Sequence, residues 1–311
     1  MTHRVVRPAE YVFIVANLAL ALIWVIVGRN VPHAAIWMSG HLAAACLSWC
    51  FVHAPESSRS RALVFRDLYP LFGIAIFWIE IGIVNRARPD TAFHDAWVER
   101  LDARIFGTHP HTTWKLAVPE IAWLMDALYL SYYLFVFGLP ILFLIQRRAP
   151  ALRDAAYRLL YTYVACDVLY ALFPTHGPRA GLGLESGTGT WLCDLEDRLR
   201  AAGDSPGTAF PSSHVAGVFA AAFMARRWLP GPLGNLWFVA ACGVALSTIY
   251  TQNHYAVDVV YGIALAFVLD RVFPRASISE DDRAALPRPR FPRSHPEQMA
   301  TRVALSKGVA S

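Results

Sequence analysis

The chain has 311 residues, of which 56% are hydrophobic and only 16% charged. Soluble domains carry about 25% charged residues, so an ordinary soluble globule is excluded and an all-α, polytopic membrane protein is expected. The net charge of +5 does not point to nucleic acid, because the arginines stand at the ends of apolar runs and not on one soluble face.

In chain order the apolar runs are Tyr11–Val27, Ala34–Val52, Leu68–Val84, Ile121–Ile145, Tyr157–Phe173, Val215–Leu229, Leu233–Tyr250 and Tyr255–Leu269. A span needs about 20 apolar residues, so about eight transmembrane helices are expected, the sixth and eighth reaching into the interfaces. The first run is read as a retained helix, since Gly28-Arg29-Asn30 is a poor cleavage site for a signal peptide. Between the third and fourth runs, Trp97, Leu101 and Ile105 recur at i, i+4 and i+8. This spacing predicts an interfacial amphipathic helix over residues 96–106. The five cysteines are scattered and read as small buried hydrophobes. Beyond residue 274 the chain is Pro- and Arg-rich, which predicts a disordered basic tail. The expected organisation is a two-span N-terminal segment (1–65), a six-span segment (66–273) and the tail (274–311).

Orientation follows from the short basic joints. Arg59, Arg61, Arg66, Arg147, Arg148, Arg153, Arg226 and Arg227 fall on one side together with both ends of the chain. The two long loops, roughly 85–120 and 174–211, are of mixed charge and fall on the other. Both termini are therefore expected in the cytoplasm and the long loops at the exoplasmic face.

Three polar clusters converge on that face: Phe173 to Arg179, Pro211-Ser212-Ser213-His214, and Tyr250 to Asp258. His254 and Asp258 stand at i and i+4, on one face of a helix. There a carboxylate can hold one ring nitrogen and leave the other free to attack. His254 is the candidate nucleophile, Asp258 its orienting partner and His214 the general acid. Ser212 and Ser213 open a helix whose N–H groups suit an anion, although simple N-capping uses the same groups. Arg179 can clamp phosphate oxygens with its guanidinium fork. Gln252, Asn253, Tyr250, Asp167 and Glu80 are candidate cavity residues, and for Glu80 and Asp167 structural pairing between helices is an equal alternative. His41 reads as a satisfied interhelical residue. His109 and His111 lack a third ligand at metal-site spacing.

The pair Pro211-Ser212-Ser213-His214 and Ser247-x6-His254-x3-Asp258 resembles the second and third signatures of the type 2 phosphatidic acid phosphatase superfamily. The first signature, Lys-x6-Arg-Pro, is absent: Leu172 stands seven before Arg179, and the dipeptide is Pro178-Arg179. Thr248 replaces the arginine of the third signature and Ser213 the glycine of the second. With Gly177-Pro178-Arg179, Tyr250, His254-Tyr255 and Tyr129-Leu130-Ser131-Tyr132-Tyr133, these changes are closest to the inositol phosphorylceramide synthase-like branch. The resemblance implies a six-helix core following two additional helices, a phosphohistidine on His254, His214 as acid/base, and no metal or other cofactor.

The expected activity is therefore a membrane lipid phosphotransferase or phosphatase. It would move a phospho-headgroup such as phosphoinositol from a phospholipid to a lipid alcohol, with residues 180–206 selecting the acceptor. The alternatives are a hydrolase of phosphatidate or polyprenyl (di)phosphate and, ranked lower, an inactive lipid-binding protein. The expected partners are the lipid-phosphate substrate and the bilayer.

Overall fold

The computed structural model describes residues 7–272 apart from 28–30, 54–59, 90–91, 117, 183–188 and 204. The tail beyond 274 and part of the 180–206 segment lie outside the described residues. The chain is an all-α, polytopic membrane protein. Among the described residues it forms α1 (Pro8–Val27), α2 (Ala34–His53), α3 (Ser60–Arg86), α4 (Asp95–Phe106), α5 (Pro110–Thr113), α6 (Pro119–Ile145), α7 (Ala149–Leu172), α8 (Pro178–Leu182), α9 (Trp191–Gly203), α10 (Ser213–Trp228), α11 (Gly231–Tyr250) and α12 (Ala256–Val272).

All eight apolar runs are helical, and five helices are long and apolar enough to cross a bilayer: α1, α2, α3, α6 and α11. The other three depart from that profile for physical reasons. Helix α7 carries Arg153, Asp154, Arg158 and Asp167, while α10 and α12, with 16 and 17 residues, are shorter than about 20 residues. Helices α7 and α10 are also inner elements. Helix α7 buries 16 of its 24 residues and α10 buries 12 of 16, so protein rather than lipid surrounds them. Helices α3, α1 and α6 pack on α7, and α11 and α12 on α10, whereas α2 leans on α1. Cys46, Cys50 and Cys242 are exposed, contrary to the reading of the cysteines as buried, because they sit on outer faces of α2 and α11. Only Cys166 and Cys193 are buried.

Helix starts follow local chemistry. Prolines occupy the first turns of α6, α7 and α11, where a missing N–H costs nothing. Ser212 caps α10, its Oγ accepting from Val215 N–H at 3.3 Å.

The polar residues of the long helices are satisfied in two clusters. Between α1, α2 and α3, His41 bonds Asn17 and Glu80, and Trp24 donates to the same Glu80 carboxylate. The interhelical alternative thus describes Glu80 and His41. Where the start of α7 meets the ends of α10 and α12, Asp154 accepts from Arg158 (2.8 Å), Arg227 (3.0 Å) and Trp228 (2.8 Å). Asp270 accepts from the same two arginines. Removing one member of a buried ion network strands its partners. Asp154→Ala is expected to cost about 3–5 kcal/mol, seen as a large fall in the unfolding temperature of the detergent-purified protein. An unchanged transition would show that the network contributes nothing.

Candidate active site

His214 lies in the first turn of α10 and His254 in the segment between α11 and α12. Their ring centroids are 5.7 Å apart, so 40 residues of separation close into one site. The two segments are held by backbone: Ser212 N–H donates to the Asp258 carbonyl at 3.1 Å. Gly262 of α12 lets the helices approach this closely, because a Cβ there would stand 2.7 Å from the Ser212 carbonyl oxygen and 3.2 Å from Val215 Cβ. Gly262→Ala must push the start of α10, and His214 with it, away from α12. Misplacing a reacting group by a fraction of an ångström to 1 Å costs up to about 100-fold in rate. The variant is expected to fold and to lose about 10- to 100-fold of any phosphoryl-transfer activity, measured against wild type in the same detergent.

The His254 ring has a defined tautomer. Nδ1 lies 3.0 Å from the Ala209 carbonyl oxygen and 3.4 Å from Asp258 Oδ2. A carbonyl only accepts, so Nδ1 holds the proton and Nε2 keeps its lone pair. Burial lowers the His254 pKa to about 4, which keeps the ring neutral and nucleophilic at physiological pH. Asp258 is fully buried, and its Oδ2 also accepts from Tyr255 N–H at 2.9 Å.

Aromatic side chains surround His214. Tyr129 OH is 3.3 Å from its Nε2, and the Tyr132 ring lies 4.5 Å from the imidazole, centroid to centroid. Tyr132 in turn bonds Tyr163, and His214 Nδ1 is buried with no protein partner. The Tyr129–Tyr133 stretch, noted in the sequence only for its likeness to a family, is therefore the wall behind His214.

The third cluster arrives through loop pairing. Thr175 bridges Thr208, and Phe210 N–H donates to Thr175 Oγ1 at 2.8 Å. Gly177, at φ +85°, fits between the Asn253 carbonyl and the Ala209 side chain, where a Cβ would stand 2.9 Å and 3.1 Å from them. Only glycine combines that dihedral with that approach. Asp95 of α4 accepts from His176 and Gly177 N–H.

Several expected residues have defined and different surroundings. The N–H groups of Ser212 and Ser213 are already bonded, to the Asp258 carbonyl and to Tyr170 OH, so both serines anchor the turn that carries His214. The Arg179 guanidinium is engaged by Glu196 (3.0 Å) and Asp197. Tyr250 OH donates to the Leu116 carbonyl. Gln252 and Asn253, adjacent to His254, flank the site. Glu80 faces α1 and α2 instead, and Asp167, buried within electrostatic reach of Glu80, has one carboxylate oxygen without a hydrogen-bond partner. Thr248 is fully buried, and its Oγ1 donates to the Ala245 carbonyl of its own helix.

Two residues that sequence reasoning missed also belong here. Lys115 Nζ donates to Gln252 Oε1 at 3.2 Å, and Arg200 donates to Asn253 Oδ1. Both sit in the two long loops of mixed charge. The only signal for Arg200 was the helical recurrence of Leu192, Leu195 and Leu199 around it.

The sequence model of the PAP2 superfamily matches residues 96–270, more than half of the chain, including both histidine-bearing segments and the loop that carries Arg179. No curated protein and no solved structure matches the chain.

Proposed function

Since the chain belongs to the PAP2 superfamily, whose members are phosphatases and phosphotransferases, we propose that it transfers a phospho-headgroup from a phospholipid to a lipid alcohol. Its reaction would run through a phosphohistidine on His254. The observation that carries this reading is the pair of imidazoles 5.7 Å apart, one with its Nδ1 proton pinned by Ala209 and Asp258.

The steps balance without a further reactant. His254 Nε2 attacks phosphorus, the bond from phosphorus to the leaving oxygen breaks, and His214 gives that oxygen its proton. An acceptor hydroxyl then loses its proton to His214 and attacks phosphorus, and the N–P bond breaks. Asp258 stabilises the charge that develops on His254. This chemistry calls for no metal.

Transfer to an alcohol is favoured over hydrolysis by the apolar surroundings. A cavity of about 120 Å³ lined by Trp114, Leu116, Ile121, Met125, Leu246, Ile249 and Tyr250 adjoins the segment that carries His254. It suits a lipid chain better than ordered water. The likeness to the inositol phosphorylceramide synthase-like branch points the same way and makes phosphoinositol the first headgroup to test. In this reading the site faces the exoplasm and both termini the cytoplasm. The ion network of Asp154, Arg158, Arg227 and Asp270 lies at the opposite end of α7 and α10 from His214.

The deciding experiment incubates purified protein with headgroup-labelled phosphatidylinositol, with and without ceramide as acceptor. Label is expected in the acceptor lipid and only slowly in water-soluble product. Release of phosphate from phosphatidate or a polyprenyl diphosphate at the same rate with or without acceptor would make the protein a hydrolase.

A further inference from the structure

The stretch that carries His254 is held at three points by two residues that lie outside both histidine segments. Asp102 of α4 accepts from Val257 N–H at 2.8 Å through Oδ1. The carbonyl of His111 in α5 accepts from Gln252 Nε2 at 3.0 Å, and the His111 ring meets the Tyr255 ring edge-on, 5.2 Å between centroids. Both side chains are buried, Asp102 completely. Their remaining polar atoms face each other. His111 Nδ1 and Asp102 Oδ2 stand 3.9 Å apart, just beyond hydrogen-bond reach, and among the described residues neither has a hydrogen-bond partner.

A buried carboxylate oxygen costs free energy unless a charge or a donor answers it. Asp258, the partner of His254, lies within electrostatic reach of both Asp102 and His111. Two buried carboxylates within reach of one another disfavour each other's ionised form. A proton on His111 Nδ1 offsets one of those charges, so that the other stays on Asp258, beside the ring of His254. The other titratable groups around the pair do not compete for this role. Tyr255 and His109, whose ring centroid is 5.8 Å from that of His111, carry no negative charge at neutral pH. Asp95 acts on Asp258 from the start of α4, but its carboxylate already accepts from His176 and Gly177 N–H.

We propose that His111 and Asp102 form a buried ion pair that fixes the 252–258 segment and keeps Asp258 ionised beside His254. Both are positioning residues, acting through Asp258 and the backbone rather than on the reacting atoms. The shared proton satisfies two orphaned atoms at once, and a closing of about 1 Å completes a charge-assisted hydrogen bond. The service to Asp258 rests on the phosphohistidine reading, whereas the pair itself does not.

The test is a double-mutant cycle on the full-length protein in detergent, read by kcat on phosphatidylinositol with ceramide and by the unfolding temperature. His111→Gln leaves the backbone carbonyl used by Gln252 in place and strands the Asp102 charge. It is expected to lower kcat about 10- to 100-fold with KM little changed, and to lower the unfolding temperature by about 5 °C or more. Asp102→Asn keeps an acceptor for Val257 N–H and removes the charge that opposes Asp258, so it should lose less of both. Combining His111→Gln with Asp102→Asn should give the values of Asp102→Asn alone, because the imidazole has no carboxylate left to answer. A space-filling His111 gives instead losses that multiply in kcat and add in temperature. That result, or a His111→Gln protein with wild-type values, overturns the pair. If His111→Gln does not fold, the double variant decides: behaviour like Asp102→Asn upholds the pair, and failure to fold overturns it. A wild type that turns over no lipid, or a His254→Gln variant that keeps its turnover, overturns the phosphohistidine reading instead, and the temperature cycle still decides the pair.

Discussion

Replacing His254 with Gln is expected to lower turnover by about 10⁴-fold or more and to abolish covalent labelling of the protein by a phosphorus-labelled donor. The size follows from the geometry. Gln fills a similar volume and can still donate to the Ala209 carbonyl, so the surrounding loops have little reason to move. What disappears is the Nε2 lone pair. The adduct on wild type should be acid-labile and base-stable, as phosphoimidazoles are. A His254→Gln protein that still forms such an adduct would falsify the assignment of this residue.

Removing the ring of His214 should have an effect that depends on the leaving group. Its proposed role is to protonate an alkoxide, and a positioned general acid contributes about 10²–10⁴-fold. His214→Gln should lose about that much on a lipid phosphate, whose leaving alcohol is a poor acid. On p-nitrophenyl phosphate, whose leaving group departs unprotonated, the loss should be much smaller. Rates of wild type and variant on both substrates give the comparison. Equal losses on the two would mean that His214 only shapes the pocket, as its contacts with Tyr129 and Tyr132 would also permit.

Much of this site was legible in the sequence, and the remainder was hidden for a specific reason. His-x-x-x-Asp and Ser-Ser-His state local geometry, since i,i+4 spacing and an N-cap fix side-chain directions whatever the tertiary context. The apolar runs mark helices for the same reason. Burial inside interfacial helices is different. The Trp97–Leu101–Ile105 stripe does form a helix, but Trp97 and Ile105 are exposed while Asp102 is fully buried. Helix α9 repeats the inversion: Leu195 and Leu199 are exposed and Glu196 is buried. In water an apolar stripe turns to the core, but at a membrane surface it can face lipid, and the acid turns inward. Each buried acid holds a segment of the site. Asp102 accepts from Val257 N–H at 2.8 Å at the start of α12, and Glu196 accepts from Asn253. A mixed-charge loop and a helix that braces a neighbouring segment in this way have the same composition, so sequence could not tell them apart. Arg179 stands beside a recognisable motif, and its pairing with two carboxylates is a tertiary arrangement that the motif does not state.

The grip of α9 on Asn253 has a mechanical corollary. One peptide unit separates that asparagine from the nucleophile, so any guest that wedges the helix outward tugs the imidazole off its line of attack. If His254 carries the phosphoryl group as proposed, a headgroup too wide to leave α9 in place would disable the reagent meant to cleave it, and size discrimination and chemical competence would become a single adjustment.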